Sequence, residues 1–225
     1  MFSLILERYE GAGEAHVVVP EGVTRILDKA FAGHDEIQSI QLPDTLLSIG
    51  ESAFSGCTAL KETRIPESVF EVGARAFLGC AALERVTLPH DLFEVGNDTF
   101  TLCTSLREVE GGDYVHTVGI GAFRSCSALT ALPLMEHVNI IGRDALAGCS
   151  SIQELTLAEA VISIGREAFK CCHRLQQVKL PVYVEELGDD LFAACGSLER
   201  IEGLTLRLAE DFPNAFPTRF LEPPS

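Results

Sequence analysis

Apolar residues return along this chain at intervals of 23 positions. The first column of such positions holds Ile26, Ile49, Val72, Val95, Val118, Ile141, Ile164 and Leu187. Phe follows five positions after most members of this column, Cys three positions after the Phe, and Leu or Ile another three positions on. A repeat of fixed length without an insertion predicts a solenoid, because one unit cannot bury its apolar face alone and must stack on its neighbours.

Each unit of the repeat predicts two short strands and a corner. The segment LERVTLP, from Leu83 to Pro89, alternates apolar and polar residues as a strand does, and the proline ends it. A second extended piece follows, such as Leu92 to Val95. The AFxGC segment that comes next is too short for a full helix, so we expect a single helical turn there. The glycine in front of it suits either a positive φ or close packing.

The Phe and Cys columns are predicted to fill the core, because every coil presents the same slot to the next one. These structural positions include Phe54, Cys57, Phe77, Cys80, Cys103, Cys126, Cys149, Cys172 and Cys195. Stacked side chains point in parallel rather than at each other, so the seven column cysteines predict a buried ladder of reduced thiols. Cys171, the eighth cysteine, takes a position that is usually glycine and is the candidate for an exposed, oxidisable thiol.

The full repeat reads L-x-x-[VI]-x-[LI]-P-x-x-[LV]-x-x-[IV]-G-x-x-A-F-x-G-C and resembles the bacterial-surface, BspA-like class of leucine-rich repeats over about residues 16 to 203. The resemblance implies a β-rich, α+β fold, a right-handed leucine-rich repeat solenoid of about eight 23-residue coils. Short strands and single helical turns would build its coils, with a cap at each end. The resemblance also implies a non-catalytic scaffold for protein–protein or adhesion-type contacts at a cell surface.

We expect one leucine-rich repeat domain over residues 1–225. Residues 1–25 are predicted to form an N-terminal cap with a hairpin-like edge and a partial repeat, residues 26–203 the eight repeats, and residues 204–225 a Pro-rich C-terminal cap. Within the array, Gly111-Gly112 replaces the usual Leu-Pro and Leu146 replaces a Phe, so a bend is expected near coils four to six.

The excess of acidic residues limits the classes of partner that the chain can bind. The chain carries 33 acidic and 17 basic residues, a formal net charge of −16. This negative charge repels phosphate backbones and anionic membranes. No apolar stretch of the sequence approaches the length of a membrane span. We therefore expect a protein partner, with a glycan or a second copy of the chain as alternatives, and neither nucleic-acid binding nor membrane insertion.

Chemical motifs and targeting signals are sparse. The chain has no recognisable nucleophile, phosphate-binding or zinc motif, so we expect neither enzyme activity nor a cofactor. Its first residues lack an export signal, which predicts a cytoplasmic protein, whereas the family resemblance implies the cell surface or secretion.

One candidate partner-binding surface lies on the second extended piece. The core columns there are already apolar, so the outward-facing Leu47, Phe70 and Phe93 are surplus to the core. With Tyr114 near their end, they form an exposed apolar row of the kind that marks partner sites. The alternative is that a cap, a neighbouring loop or a curved coil covers the row.

A second candidate surface is the outward side of the first strand. Rows of charged residues cross it, with signs that alternate from coil to coil. The candidate partner-binding residues among them are Lys61, Glu62, Arg85 and Arg107. Such rows suit partner binding, and they equally suit cross-strand ion pairs that stabilise the sheet.

An acidic column follows the first strand and offers candidate metal ligands. Its members include Glu67, Asp113 and Glu136, whose stacked carboxylates could recruit Ca²⁺ or simply form a solvated edge. Together with Cys171 and the exposed apolar row, this column supports an alternative function, a self-associating structural module that responds to calcium or to redox state.

Overall fold

The computed structural model describes residues 4–11, 13–132 and 136–221, and its strands have two to four residues each. The strands are β1 (Leu4–Leu6), β2 (His16–Val18), β3 (Val23–Ile26), β4 (Ser39–Gln41), β5 (Ser48–Ile49), β6 (Glu62–Arg64), β7 (Glu71–Val72), β8 (Arg85–Leu88), β9 (Glu94–Val95), β10 (Glu108–Gly111), β11 (Thr117–Val118), β12 (Ile140–Ile141), β13 (Glu154–Thr156), β14 (Ser163–Ile164), β15 (Gln177–Lys179), β16 (Glu186–Leu187) and β17 (Arg200–Glu202). Helix α1 (Leu206–Asp211) and a 3-10 helix (Thr218–Phe220) follow the last strand.

The strands pair in parallel from coil to coil, which gives the solenoid two faces. The first strands of the coils form a five-stranded sheet in the order β2-β4-β6-β8-β10 and a three-stranded sheet in the order β13-β15-β17. We call this side the first-strand face. The second strands form the sheets β1-β3-β5-β7 and β9-β11-β12-β14-β16, which we call the second-strand face. The predicted leucine-rich solenoid of about eight coils is confirmed.

The corner after each second strand is built from hydrogen-bonded turns, where the sequence predicted a single helical turn. Corner amides bond to the next coil: the Phe54 N–H donates to the Ala76 carbonyl at 2.8 Å. Positive φ angles, 56° at Ser52 and 77° at Gly56, let alternate amides point toward that coil. The corner therefore forms a third ladder, which satisfies the backbone without a helix.

The glycine in front of each corner is required by close packing between coils. A Cβ atom built on Gly165 lies 2.4 Å from the Arg143 backbone nitrogen, and one built on Gly50 lies 2.5 Å from the Asp28 backbone nitrogen. Gly96 is an exception, because the nearest atoms to its Cβ position are 3.4 Å away. Of the two reasons that the sequence left open, close approach is the one that applies, since this column does not take positive φ.

The Phe column forms a ladder of stacked rings through the core. From Phe31 to Phe123, successive ring centroids are 5.0, 5.1, 5.5 and 5.4 Å apart. Leu146 interrupts the ladder, which resumes between Phe169 and Phe192 at 5.5 Å. The rings bury large apolar areas and stack within the range that aromatic pairs favour, so the ladder is a main source of cohesion between coils.

The Cys column forms a second ladder beside the rings. The Cys80 thiol donates to the Phe54 carbonyl at 3.2 Å, although that carbonyl already accepts the Cys57 N–H. Equivalent thiol bonds, at 3.1 to 3.4 Å, start from Cys57, Cys103, Cys126, Cys149, Cys172 and Cys195. All seven thiols are free and buried, as predicted. Cys suits the slot because it is small and apolar and still offers a donor to the second lone pair of a buried carbonyl.

Thiol titration of the native protein is expected to separate Cys171 from the seven column cysteines. Cys171 is partly exposed and should react promptly with a disulfide reagent at neutral pH. Burial raises the pKa of Cys57 and of Cys149 to about 12, so the reactive thiolate is scarce there. We expect the column thiols from Cys57 to Cys149 to react only after denaturant is added. Prompt reaction of several thiols without denaturant would contradict the buried ladder.

Both ends of the solenoid continue its core pattern. At the N-terminal end, Tyr9 stacks on Phe31 with ring centroids 5.0 Å apart. Strands β1 and β2 pair in parallel with β3 and β4, so the hairpin-like edge predicted there is wrong. At the C-terminal end, Phe216 stacks on Phe192 at 6.4 Å, which places the segment after β17 over the last coil. The residue bounds given for the two caps stay a prediction.

The first-strand face changes sheet in the irregular part of the array. Strand β10 is the edge strand of the five-stranded sheet, and β13 is the edge strand of the three-stranded sheet that follows. Residues 133–135, between them, lie outside the described residues. The interruption falls where the sequence predicted a bend, and the bend itself stays a prediction.

Candidate partner-binding surface

The apolar row predicted from the sequence is uncovered in the structure. The exposed fractions are 42% for Leu47, 66% for Phe70, 62% for Phe93 and 47% for Tyr114. Val69 and Val72 are buried and fill the core slots of their coil, so Phe70 between them has no room inward. Over the described residues, neither a cap nor a loop covers the row, and large apolar side chains therefore meet solvent on neighbouring coils.

Histidines extend the row, and sequence reasoning missed their part in it. His116 stacks on Phe93 with ring centroids 4.9 Å apart, and His137 stacks on Tyr114 at 5.2 Å. The Nδ1 atom of His116 lies 2.6 Å from the Tyr114 carbonyl oxygen, which orients the imidazole ring. We call Leu47, Phe70, Phe93, Tyr114, His116 and His137 the aromatic stripe. It crosses successive coils of the second-strand face.

The second-strand face is split in the middle of the aromatic stripe. The Phe70 N–H donates to the Leu47 carbonyl at 3.1 Å, and the His116 N–H donates to the Phe93 carbonyl at 2.9 Å. Among the described residues, no equivalent bond joins the Phe93 N–H to the Phe70 carbonyl, and β7 and β9 belong to different sheets. The two most exposed rings of the stripe therefore stand on either side of an unpaired strand edge.

The segments that build the second-strand face carry no lysine or arginine between residues 43 and 187. These seven segments are residues 43–49, 66–72, 89–95, 112–118, 135–141, 158–164 and 181–187. Their acidic residues are Asp44, Glu67, Glu71, Asp91, Glu94, Asp113, Glu136, Glu159, Glu185 and Glu186. The aromatic stripe is therefore set in a surface whose ionisable side chains, apart from tyrosine and histidine, are all carboxylates.

The arginines of neighbouring segments do not neutralise these carboxylates. At the corners, Arg75 pairs with Glu51 and Arg124 pairs with Asp98, both at 3.0 Å. Arg85 pairs with acidic residues of the first-strand face. Within the part of the chain that the structure describes, no ion pair joins a lysine or arginine to an acidic residue of the second-strand segments. Among the described residues, no lysine or arginine of the chain therefore neutralises the negative charge there.

Two of the three candidate metal ligands, Glu67 and Asp113, have protein partners. The Glu67 carboxylate accepts the His90 N–H at 2.8 Å, so it closes the turn of the next coil. Asp113 contacts the His90 imidazole, and Glu136 is exposed on the following coil. Over the described residues, no group of three or more His, Cys, Asp or Glu side chains is arranged to hold a metal ion. The column thus has a structural use, as a set of caps between coils.

The charged lattice predicted on the first-strand face forms in part. Arg85 Nε donates to the Glu108 carboxylate at 2.6 Å, and its Nη1 lies 3.4 Å from the Glu62 carboxylate. The hydrogen bond that Arg85 donates to Glu108 raises the pKa of Arg85, which stays charged. Lys61, Glu62 and Arg85 line a shallow groove of about 440 Å³, and Arg107 is not among the lining residues.

A second groove, of about 490 Å³, opens where β4 and β6 part. These two strands register only at Ser39 and Glu62, whereas β6 and β8 register over three residue pairs. The groove is lined by charged side chains, among them Arg64, and by Thr63 of β6. The Thr63 hydroxyl is buried and makes no hydrogen bond. The first-strand face therefore has a polar recess beside Arg85.

Similarity to one solved structure agrees with this architecture. A leucine-rich repeat protein from Bacteroides ovatus matches with a TM-score of 0.79 and 27% identity, over 90% of this chain and 53% of that one. The chain therefore spans about half the length of the B. ovatus protein. A T. pallidum leucine-rich repeat protein matches with a TM-score of 0.44 and 27% identity, over 89% of this chain and 74% of that one. No curated protein matches the chain.

The family comparison covers most of the solenoid. Six copies of the BspA type leucine-rich repeat region match the sequence, over residues 24–150 and 93–208. Among the described residues, no helix is long and apolar enough to cross a membrane. Exposed rings on a repeat solenoid are consistent with the protein-binding, scaffold role of such repeats. The chain belongs to the BspA type leucine-rich repeat family.

Proposed function

We propose that this protein is a non-catalytic scaffold that binds a protein partner through the aromatic stripe. The observation that carries the proposal is the exposure of Phe70 and Phe93 on adjacent coils, at 66% and 62%. Aromatic side chains dominate the energetics of protein interfaces. Phe70 and Phe93 are not needed to fill the core, because other residues occupy the core positions of their coils. Adhesion at a cell surface, which the family resemblance implies, is a narrower form of this proposal.

Capture from cell lysate and from an extracellular-matrix extract tests the proposal. The immobilised wild type is compared with a Phe70→Glu, Phe93→Glu double variant, and we expect at least one protein to be lost from the variant. Val182→Glu is the matched control, because Val182 is an apolar residue that is 84% exposed on a distant coil. Far-UV circular dichroism checks that all three proteins are folded.

The first-strand face is a second candidate for partner binding, favoured by its polar recess and by the Thr63 hydroxyl that lacks a partner. An Arg85→Glu variant in the same capture experiment distinguishes the two faces. Loss of a captured protein from Arg85→Glu, with full retention by the Phe70→Glu, Phe93→Glu variant, would move the site to this face. Loss from the double variant alone supports the aromatic stripe.

A further inference from the structure

We infer that the partner segment held by the aromatic stripe is cationic, an extended stretch in which lysine or arginine residues alternate with apolar ones. This inference rests on the proposed function and names the chemistry of the partner. It follows from two features that occupy the same surface: the exposed rings, and the carboxylates that surround them without a lysine or arginine of the chain.

The first step is electrostatic. The second-strand segments contain ten acidic residues and no lysine or arginine between residues 43 and 187. Paired strands of adjacent coils lie about 5 Å apart, so acidic residues on neighbouring coils are close enough to interact over the Debye length of about 8 Å at physiological salt. Like charges at that spacing repel, and the basic residues at the corners are already paired with other acids. A cationic partner would relieve this repulsion and would be steered toward the face.

The second step is the local arrangement of ring and charge. Each of the two most exposed rings is followed directly by an exposed carboxylate: Phe70 by Glu71 on β7, and Phe93 by Glu94 on β9. A lysine or arginine side chain matches such a pair, because its aliphatic stem can lie along the ring while its charged end reaches the carboxylate. Apolar residues between the cations would pack on Leu47 and on the remaining ring surface.

The same features disfavour the other occupants of the face. A second copy of the chain would place one acidic surface against another, which like-charge repulsion opposes. A neutral glycan would leave the carboxylates uncompensated. A cationic peptide segment with apolar residues would both cover the exposed rings and neutralise the excess of negative charge.

Fluorescence anisotropy with short synthetic peptides tests the inference on the full chain. The probes are three peptides of equal length in which leucine alternates with lysine, with glutamate or with serine. We expect the lysine–leucine peptide to bind, and the other two to bind at least about tenfold more weakly. Its affinity should fall as salt is raised, because exposed charges are screened.

Two double variants place the peptide on the stripe. Phe70→Ala with Phe93→Ala should weaken the lysine–leucine peptide about tenfold or more, as for residues at the centre of an interface. Glu71→Gln with Glu94→Gln should weaken it about threefold, as expected for exposed ion pairs. The matched control, Glu154→Gln with Glu199→Gln, removes the same charge from exposed positions outside the second-strand segments and should leave the affinity unchanged.

Three other outcomes would overturn the inference, and each shows whether the proposed function fails with it. Equal binding of the serine–leucine peptide, lost in the Phe70→Ala, Phe93→Ala variant, would keep the stripe as the site and remove the cationic partner. Equal weakening by both Glu→Gln pairs would show diffuse charge attraction. Binding of no peptide, with a dimer in sedimentation velocity that the Phe→Ala variant abolishes, would make a second copy the occupant.

Discussion

Replacing Phe77 by alanine is expected to lower the free energy of unfolding by about 3–5 kcal/mol. Phe77 has no exposed surface, and its ring stacks on Phe54 at 5.1 Å and on Phe100 at 5.5 Å. The substitution removes the ring and leaves a cavity that fixed neighbouring coils cannot close. Urea denaturation followed by circular dichroism measures the loss.

Phe70→Ala is the control for the Phe77→Ala variant. It makes the same chemical change at a ring that is 66% exposed, so its stability should stay within about 0.5 kcal/mol of the wild type. Similar losses for the two variants would contradict the assignment of Phe77 to the core and Phe70 to the surface. In a solenoid each coil contacts only its neighbours, so Phe77→Ala should also broaden the transition as coils uncouple.

Replacing Gly165 by alanine is expected to cost about 1–3 kcal/mol, although it adds a single methyl group. The added Cβ would lie 2.4 Å from the Arg143 nitrogen and 2.7 Å from the Gly142 carbonyl carbon. Both atoms belong to backbone, which cannot rotate away as a side chain can, so two coils must separate. Thermal unfolding compares this variant with the wild type.

Gly96→Ala is the matched control, because Gly96 belongs to the same column of the repeat. The nearest atoms to its Cβ position are 3.4 Å away, so the methyl group should be accommodated at little cost. A melting temperature lowered equally by both substitutions would mean that the glycine column serves backbone conformation rather than the approach of coils. An unchanged melting temperature for Gly165→Ala would contradict the close packing itself.

The core of this protein was predictable from the sequence because every core position recurs. The assignment of Cys103 or Phe77 to the core is supported by the equivalent residues at 23-residue intervals in the other coils. A chance match would not persist through eight repeats. The corner was less predictable. Its amides bond to the next coil, and the sequence of AFxGC alone does not distinguish that arrangement from a helical turn.

The exposed part of the aromatic stripe was predictable from the sequence. All core positions of these coils are already occupied by apolar residues, so Phe70 and Phe93 must face outward. His116 lies one period after Phe93 in the same outward column, so the sequence placed the two side chains on adjacent coils but did not show that their rings stack.

The thiol ladder couples the lifetime of the protein to the rate at which its coils open. A column sulfur such as Cys103 is buried and donates its proton to a carbonyl, so an oxidant reaches it only in an opened chain. A sulfur oxidised in that interval has lost the small S–H group that its slot requires, and the coil cannot close as before. In an oxidising medium each opening would remove molecules from the native pool, and kinetic rather than equilibrium stability would set how long the scaffold survives.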